Sequence, residues 1–134
     1  ARLDPAVLRR SVRERMRSDV ASLPSDASVG DAIALFREKR HSIYPIVSPD
    51  GTLDGALARE DLFDYLKRAD VTLETPLAGI ERFPLPVCPV DGEIDEAVED
   101  MIRSGRQKCL VTDAAGRLVG ILSVMDLLGD GGAA

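Results

Sequence analysis

The sequence predicts an α+β fold, a tandem pair of β-α-β-β-α repeats with pseudo-twofold symmetry. The chain repeats itself without a gap at an offset of 65 residues: Asp26, Ala32, Gly51, Leu53, Gly55, Asp61 and Leu62 recur as Asp91, Ala97, Gly116, Leu118, Gly120, Asp126 and Leu127. Two copies fill the 134 residues, too long a period for the common solenoids. Within each copy, helical and strand periodicities alternate in the same order.

The elements follow in chain order. Asp4 before Pro5 is an N-cap and first-turn pair, so a helix is expected from Pro5 toward Met16 as an N-terminal lead-in, residues 1–16. Repeat 1 is placed at 17–69. It opens on a short strand around Val20 to Leu23, after which Ser28 caps a helix whose apolar positions Val29, Ala32, Ile33 and Phe36 fall at i, i+3, i+4 and i+7. A strand from Ile43 to Val47, a turn through Pro49, Asp50 and Gly51, and a strand from Leu53 to Leu57 make a hairpin. Asp61, Leu62, Phe63, Tyr65 and Leu66 return to helix.

A linker is placed at 70–82 and repeat 2 at 83–129. The second copy runs from a strand around Leu85 to Cys88, through a helix bearing Ile94, Ala97, Val98 and Met101, to a hairpin of Cys109 to Val111 and Leu118 to Leu122. Asp126, Leu127 and Leu128 begin its closing helix, and residues 130–134 are expected to be a flexible tail.

Composition narrows the function. The net charge of -6, from 23 acidic against 17 basic residues, offers no electrostatic footprint for nucleic acid or an anionic membrane. No apolar run approaches the about 18 residues needed to span a bilayer. Cys88 and Cys109 lie in apolar stretches without metal-ligand spacing and read as small core residues, free thiols that fit a reducing cytoplasm. His41, the single histidine, reads as a loop residue. No nucleophile elbow, phosphate loop or HExxH is present, so no catalytic residue and no metal site are assigned. The acidic run Asp91, Glu93, Asp95, Glu96, Glu99, Asp100 suits a solvated face at a helix N-terminus, with Mg²⁺ sensing as the lesser alternative.

One junction carries chemistry. Gly120-Ile121-Leu122-Ser123-Val124-Met125-Asp126 reads G-h-h-S-x-x-D from strand into helix. The Asp126 carboxylate can accept from both hydroxyls of a ribose, Ser123 adds a hydroxyl, and Gly120 lets backbone approach a flat ring or sugar. S-x-x-D is equally a capping box that binds nothing. Val87, Leu110 and Ile121 suit either the apolar walls around a base or plain core.

With the tandem period, the run V-R-E-R-M over Val12 to Met16 and the strand Tyr44-Pro45-Ile46-Val47, the chain resembles a pair of cystathionine-β-synthase-type (CBS) domains, a Bateman module, from about Val12 to Leu128. The resemblance implies that the two repeats are packed through their sheets, and a regulatory sensor whose two clefts take adenosine nucleotides (AMP, ADP, ATP) or S-adenosylmethionine, with no cofactor required. It implies a homodimer that adjusts an attached enzyme, channel or transporter, either cytoplasmic or the cytoplasmic domain of a membrane protein. Phe63, Leu66, Leu127 and Leu128 are the apolar residues expected at the dimer face.

Lys108 matches a position where the family often places a phosphate-facing base, and Arg59 and Arg106 are further cations, each equally suited to solvent. The first copy departs from the pattern. It reads Gly55, Ala56, Leu57, Ala58, Arg59, Glu60, Asp61, and with Ala58 in the hydroxyl position its cleft should be the weaker. A ligand-free dimerisation module, such as the tail of a chloride channel or cation transporter, is the alternative.

Overall fold

Ser28 shows how local chemistry starts a repeat. Its Oγ accepts from the Asp31 N–H at 3.2 Å while its own N–H donates to Asp31 Oδ2 at 3.0 Å, a capping box that fixes the start of α1, Val29–Glu38. The expected stripe faces inward, with Val29, Ala32 and Phe36 buried. The structure, a computed structural model, describes residues 2–128, so the tail at 130–134 lies outside the described residues.

In the first repeat, β1 (Leu23–Pro24) pairs parallel with β2 (Ile43–Val47), which pairs antiparallel with β3 (Leu53–Ala58); α2 (Arg59–Leu66) follows at once. In the second, β4 (Val87–Pro89) pairs parallel with β5 (Lys108–Thr112) and β5 antiparallel with β6 (Leu118–Ser123). Between β4 and β5 runs α3, Ile94–Ser104, closed by Gly105 in the left-handed conformation at φ 69°. The two three-stranded sheets have the same order and sense, and Gly55 and Gly120 fall at the third residue of equivalent strands. Repeat and fold class are therefore as the offset predicts.

The chain divides into two compact units, and their boundary does not follow the repeats. Among the described residues, the segment up to Val20 joins residues 85–128, while Ala21–Pro84 form the other unit. The backbone bonds say why. The Val12 N–H donates to Gly92 O at 2.8 Å and the Ile94 N–H to Arg10 O at 2.9 Å. In the other unit the Leu77 N–H donates to Ala27 O at 3.1 Å and the Val29 N–H to Thr75 O at 2.8 Å. These are the same bonds 65 residues apart, so each repeat is completed by the segment that precedes the other one. Val12 and Leu77, both 0% exposed, are the equivalent plugs.

That pairing corrects the expected N-terminal helix. Pro5–Arg9 and Val12–Glu14 are two 3₁₀ turns, the first capped by the Asp4 carboxylate on the Ala6 N–H at 3.0 Å. Arg10 to Arg13 spend their backbone groups on Gly92, Val90 and Ile94, and tertiary pairing overrides the local periodicity. The closing helix of the second copy is a single 3₁₀ turn, Val124–Leu127, within the described residues. The first strands begin later than expected, at Leu23 and Val87.

Each unit has its own core. Cys88, Ile94, Ala97, Met101, Cys109, Val111 and Leu122 gather with Val7 and Val12 in one; Leu23, Phe36, Tyr44, Ile46, Leu57 and Leu77 gather in the other. Burying each large apolar side chain contributes roughly 1.5–3 kcal/mol. Buried Tyr44 stays satisfied because its hydroxyl donates to Lys39 O at 2.9 Å. Two residues expected at a dimer face belong to these cores instead: Leu127 is 5% exposed, and Leu66 packs against the Leu57 cluster. Phe63, 51% exposed, does stand in solvent.

Candidate functional site

Cross-strand register collects the predicted residues at one end of the second sheet. Val87 pairs with Leu110 and Leu110 with Ile121, so the three apolar candidates form one row across β4, β5 and β6. One step along, Lys108 pairs with Ser123. Alternation puts this set on the face opposite Cys109, Val111 and Leu122, which pack under α3. Leu110 is buried, Ile121 and Lys108 half-buried, and Val87 exposed.

Asp126 sits at the corner of this row with its side chain 8% exposed and its carboxylate in use. Oδ2 accepts from the Ser123 N–H at 2.9 Å and from Ser123 Oγ at 3.1 Å, the capping role that S-x-x-D allows. Oδ1 accepts from Arg17 Nε at 2.8 Å. Arg17 is a residue the sequence reading missed, although Arg82 at the same 65-residue offset signalled that the repeat extends into the lead-in. The Arg17 backbone is bonded both ways to Ile121, at 2.8 and 2.9 Å.

The lead-in also takes up the space beside Gly120. A Cβ there would lie 2.6 Å from Met16 Sδ and 2.9 Å from Arg17 O, so the close backbone approach that this glycine permits is that of the chain's own Met16–Arg17.

The first repeat places its candidates in matching positions with different chemistry. Ile43 pairs with Ala58 where Lys108 pairs with Ser123. Ala58 supplies no side-chain cap to α2, and Asp61 has no hydrogen-bond or ion-pair partner among the described residues. Arg59 holds its guanidinium 5.6 Å over the Phe63 ring. Gly55, at φ +84°, is packed against Arg82, whose Nε donates to Asp54 O at 2.9 Å and whose guanidinium pairs with the Asp54 carboxylate at 3.2 Å. The equivalent arginines therefore choose different carboxylates.

Four of the remaining polar candidates are engaged within the fold. Cys88 and Cys109 share a thiol–thiol hydrogen bond of 3.3 Å in the core, and that bond together with burial pushes the Cys109 thiol up. In the acidic run, Asp91 pairs with Arg13 and Asp100 with Arg103, both at 2.9 Å. Among the described residues no three His, Cys, Asp or Glu side chains are grouped to hold a metal ion, and no helix is long and apolar enough to cross a membrane.

Comparison with known proteins bears on these geometries. The CBS domain family matches residues 11–68 and 78–130. An uncharacterized protein of Methanocaldococcus jannaschii, MJ0188, is 31% identical over 117 residues, which are 87% of this chain and 42% of that protein, so the chain spans less than half of its relative's length. Among solved structures, the CBS domain of a bacterial CNNM/CorC family Mg²⁺ transporter in complex with ATP superposes with a TM-score of 0.75 at 23% identity, over 91% of this chain and 87% of that one. The CBS domain pair/ACT domain protein TM0892 of Thermotoga maritima gives 0.73 at 19% identity, over 89% and 93%. At these identities the likeness is one of fold.

Proposed function

Since the chain belongs to the CBS domain family, with two family segments in tandem, we propose that it is a non-enzymatic regulatory module. On this proposal it binds an adenosine nucleotide or S-adenosylmethionine at its second repeat and passes that state to an attached or partner protein. The observation that carries it is the Lys108–Ser123 cross-strand pair, with Asp126 on the serine and the Val87–Leu110–Ile121 row beside it. That set offers an apolar surface to a purine, a carboxylate to ribose hydroxyls and a half-buried cation to a phosphate.

The ATP held by the transporter CBS domain supports the choice of ligand class. The first repeat, with Ile43 and Ala58 at the matching positions, is the weaker site. Binding acts by population shift: a ligand that prefers one arrangement of the module biases what the module is attached to. A homodimer on the cytoplasmic side of a transporter is the setting proposed.

A ligand-free dimerisation module is the second reading, and one observation favours it: the Asp126 carboxylate already accepts three hydrogen bonds from the protein. Thermal shift and calorimetric titration with AMP, ADP, ATP, S-adenosylmethionine and Mg²⁺ separate the two. Saturable stabilisation by a nucleotide, reaching about 2.7 kcal/mol at a hundred times the dissociation constant, supports the sensor. A flat response to every ligand refutes it and leaves the dimerisation module.

A further inference from the structure

Three of the four lone-pair positions on the Asp126 carboxylate are filled, and they are filled by different kinds of partner. The two bonds to Oδ2 come from Ser123, three residues away, and hold the turn that follows β6. The bond to Oδ1 comes from a side chain 109 residues distant in sequence that is 70% exposed. Arg17's backbone is pinned to Ile121 on both sides, so the guanidinium can leave Oδ1 by rotating about its own side-chain bonds, with no change in the strand pairing. A diol needs the oxygen that Arg17 holds. The first repeat shows the other state: Arg82, at the equivalent position, is turned to Asp54, and Asp61 is left unpartnered among the described residues.

We propose that Arg17 is a built-in competitor for Asp126, a latch that a ribose must displace from Oδ1 before it can bind at the second repeat. This rests on the nucleotide reading above and adds a residue outside the G-h-h-S-x-x-D motif that sets the affinity of the site. An ion pair with one exposed partner is weak, so the latch lowers affinity without closing the site. Its release leaves a cation tethered at the edge of the row, and a neutral nucleoside is accordingly the clean probe of the competition.

The test measures adenosine binding, by displacement of AMP and by direct titration, in the full chain and in Arg17→Gln, with melting curves to show that both are folded. Adenosine should bind Arg17→Gln about two- to fivefold tighter, the equilibrium factor of an ion pair of this exposure. In the unsubstituted chain the Arg17 Nε–H resonance should be protected without ligand and should lose that protection as adenosine is added, a change a merely structural pair would not show. Equal or weaker adenosine binding by Arg17→Gln, or none by either protein, overturns the latch. AMP bound equally well by both proteins would then leave the nucleotide site standing, whereas no AMP bound by either overturns both.

Discussion

Replacing Gly120 by alanine tests the packing of the lead-in on β6. The added Cβ would stand 2.6 Å from Met16 Sδ and 3.1 Å from Met16 Cγ, contacts that a flexible thioether can relieve, but also 2.9 Å from Arg17 O, which is backbone. That oxygen accepts from the Ile121 N–H at 2.9 Å, and the Arg17 N–H donates to Ile121 O at 2.8 Å, so moving it stretches both bonds. Overpacking of this kind costs about 1–3 kcal/mol, and a weakened backbone bond adds about 0.5–1.5 kcal/mol. The stiffer unfolded chain of an alanine variant returns about 0.4–1 kcal/mol. A net loss of about 0.5–4 kcal/mol is expected, centred near 2 kcal/mol, a fall in melting temperature of roughly 4–10 °C at that centre for a chain of this size.

Thermal and urea denaturation followed by circular dichroism measure the loss directly. The double variant Met16→Ala, Gly120→Ala should recover only part of it, because the backbone obstacle remains. Stability within about 0.5 kcal/mol of the unsubstituted chain, the range of ordinary surface changes, would show that Met16 and Arg17 do not lie against β6. If Gly120 instead served only to admit a ligand, the variant would keep its stability and lose affinity.

Asp126→Ala should lower melting stability by about 1 kcal/mol through the lost cap. In calorimetric titration it should also weaken nucleotide binding by about tenfold to a hundredfold, and Asp61→Ala should do so less. Above the ordinary thiol value of 9.0, the unfolded chain releases both cysteine protons while the buried pair, 3.3 Å apart, keeps at least one. Folding stability should therefore fall as pH rises beyond that value, by about 1.4 kcal/mol per unit for one retained proton, and urea titrations of the double variant Cys88→Ala, Cys109→Ala should lack that component. Both thiols should resist a thiol reagent until the chain unfolds. Sedimentation should find a dimer weakened by Phe63→Ser and untouched by conservative changes at Leu127; a monomer at all concentrations would end the dimer proposal.

What the sequence made legible was local or periodic. Ser28 with Asp31, the turn glycines Gly51 and Gly116 at φ 89° and 81°, and the short apolar runs within β2 and β5 each state their geometry within a few residues. The 65-residue offset then places the copies in register. Lys108 comes beside Ser123 and Leu110 beside Ile121 because a hairpin with a short turn leaves little freedom of register.

Contacts between distant segments were hidden. Nothing around Arg17 names Asp126 as its partner, and nothing around Val12 says that its N–H goes to Gly92. Pro5 to Met16 has the composition of a helix, and only its bonds to the second repeat explain why it is broken into turns. Leu127 looked available because its burial depends on Val7 and Val12 at the opposite end of the chain.

The exchange of lead-ins has a mechanical consequence. The second repeat is reached from the chain's beginning without passing along the first: displacing Arg10 to Arg17 acts directly on Ile94, Ile121 and Asp126. The segment that completes the first repeat lies mid-chain, held at both ends. Force applied before residue 10 thus acts first on the second repeat, and severing the chain near residue 70 would give two pieces, each carrying the strap that the other needs. Such fragments should be inert apart and should regain a folded state when mixed.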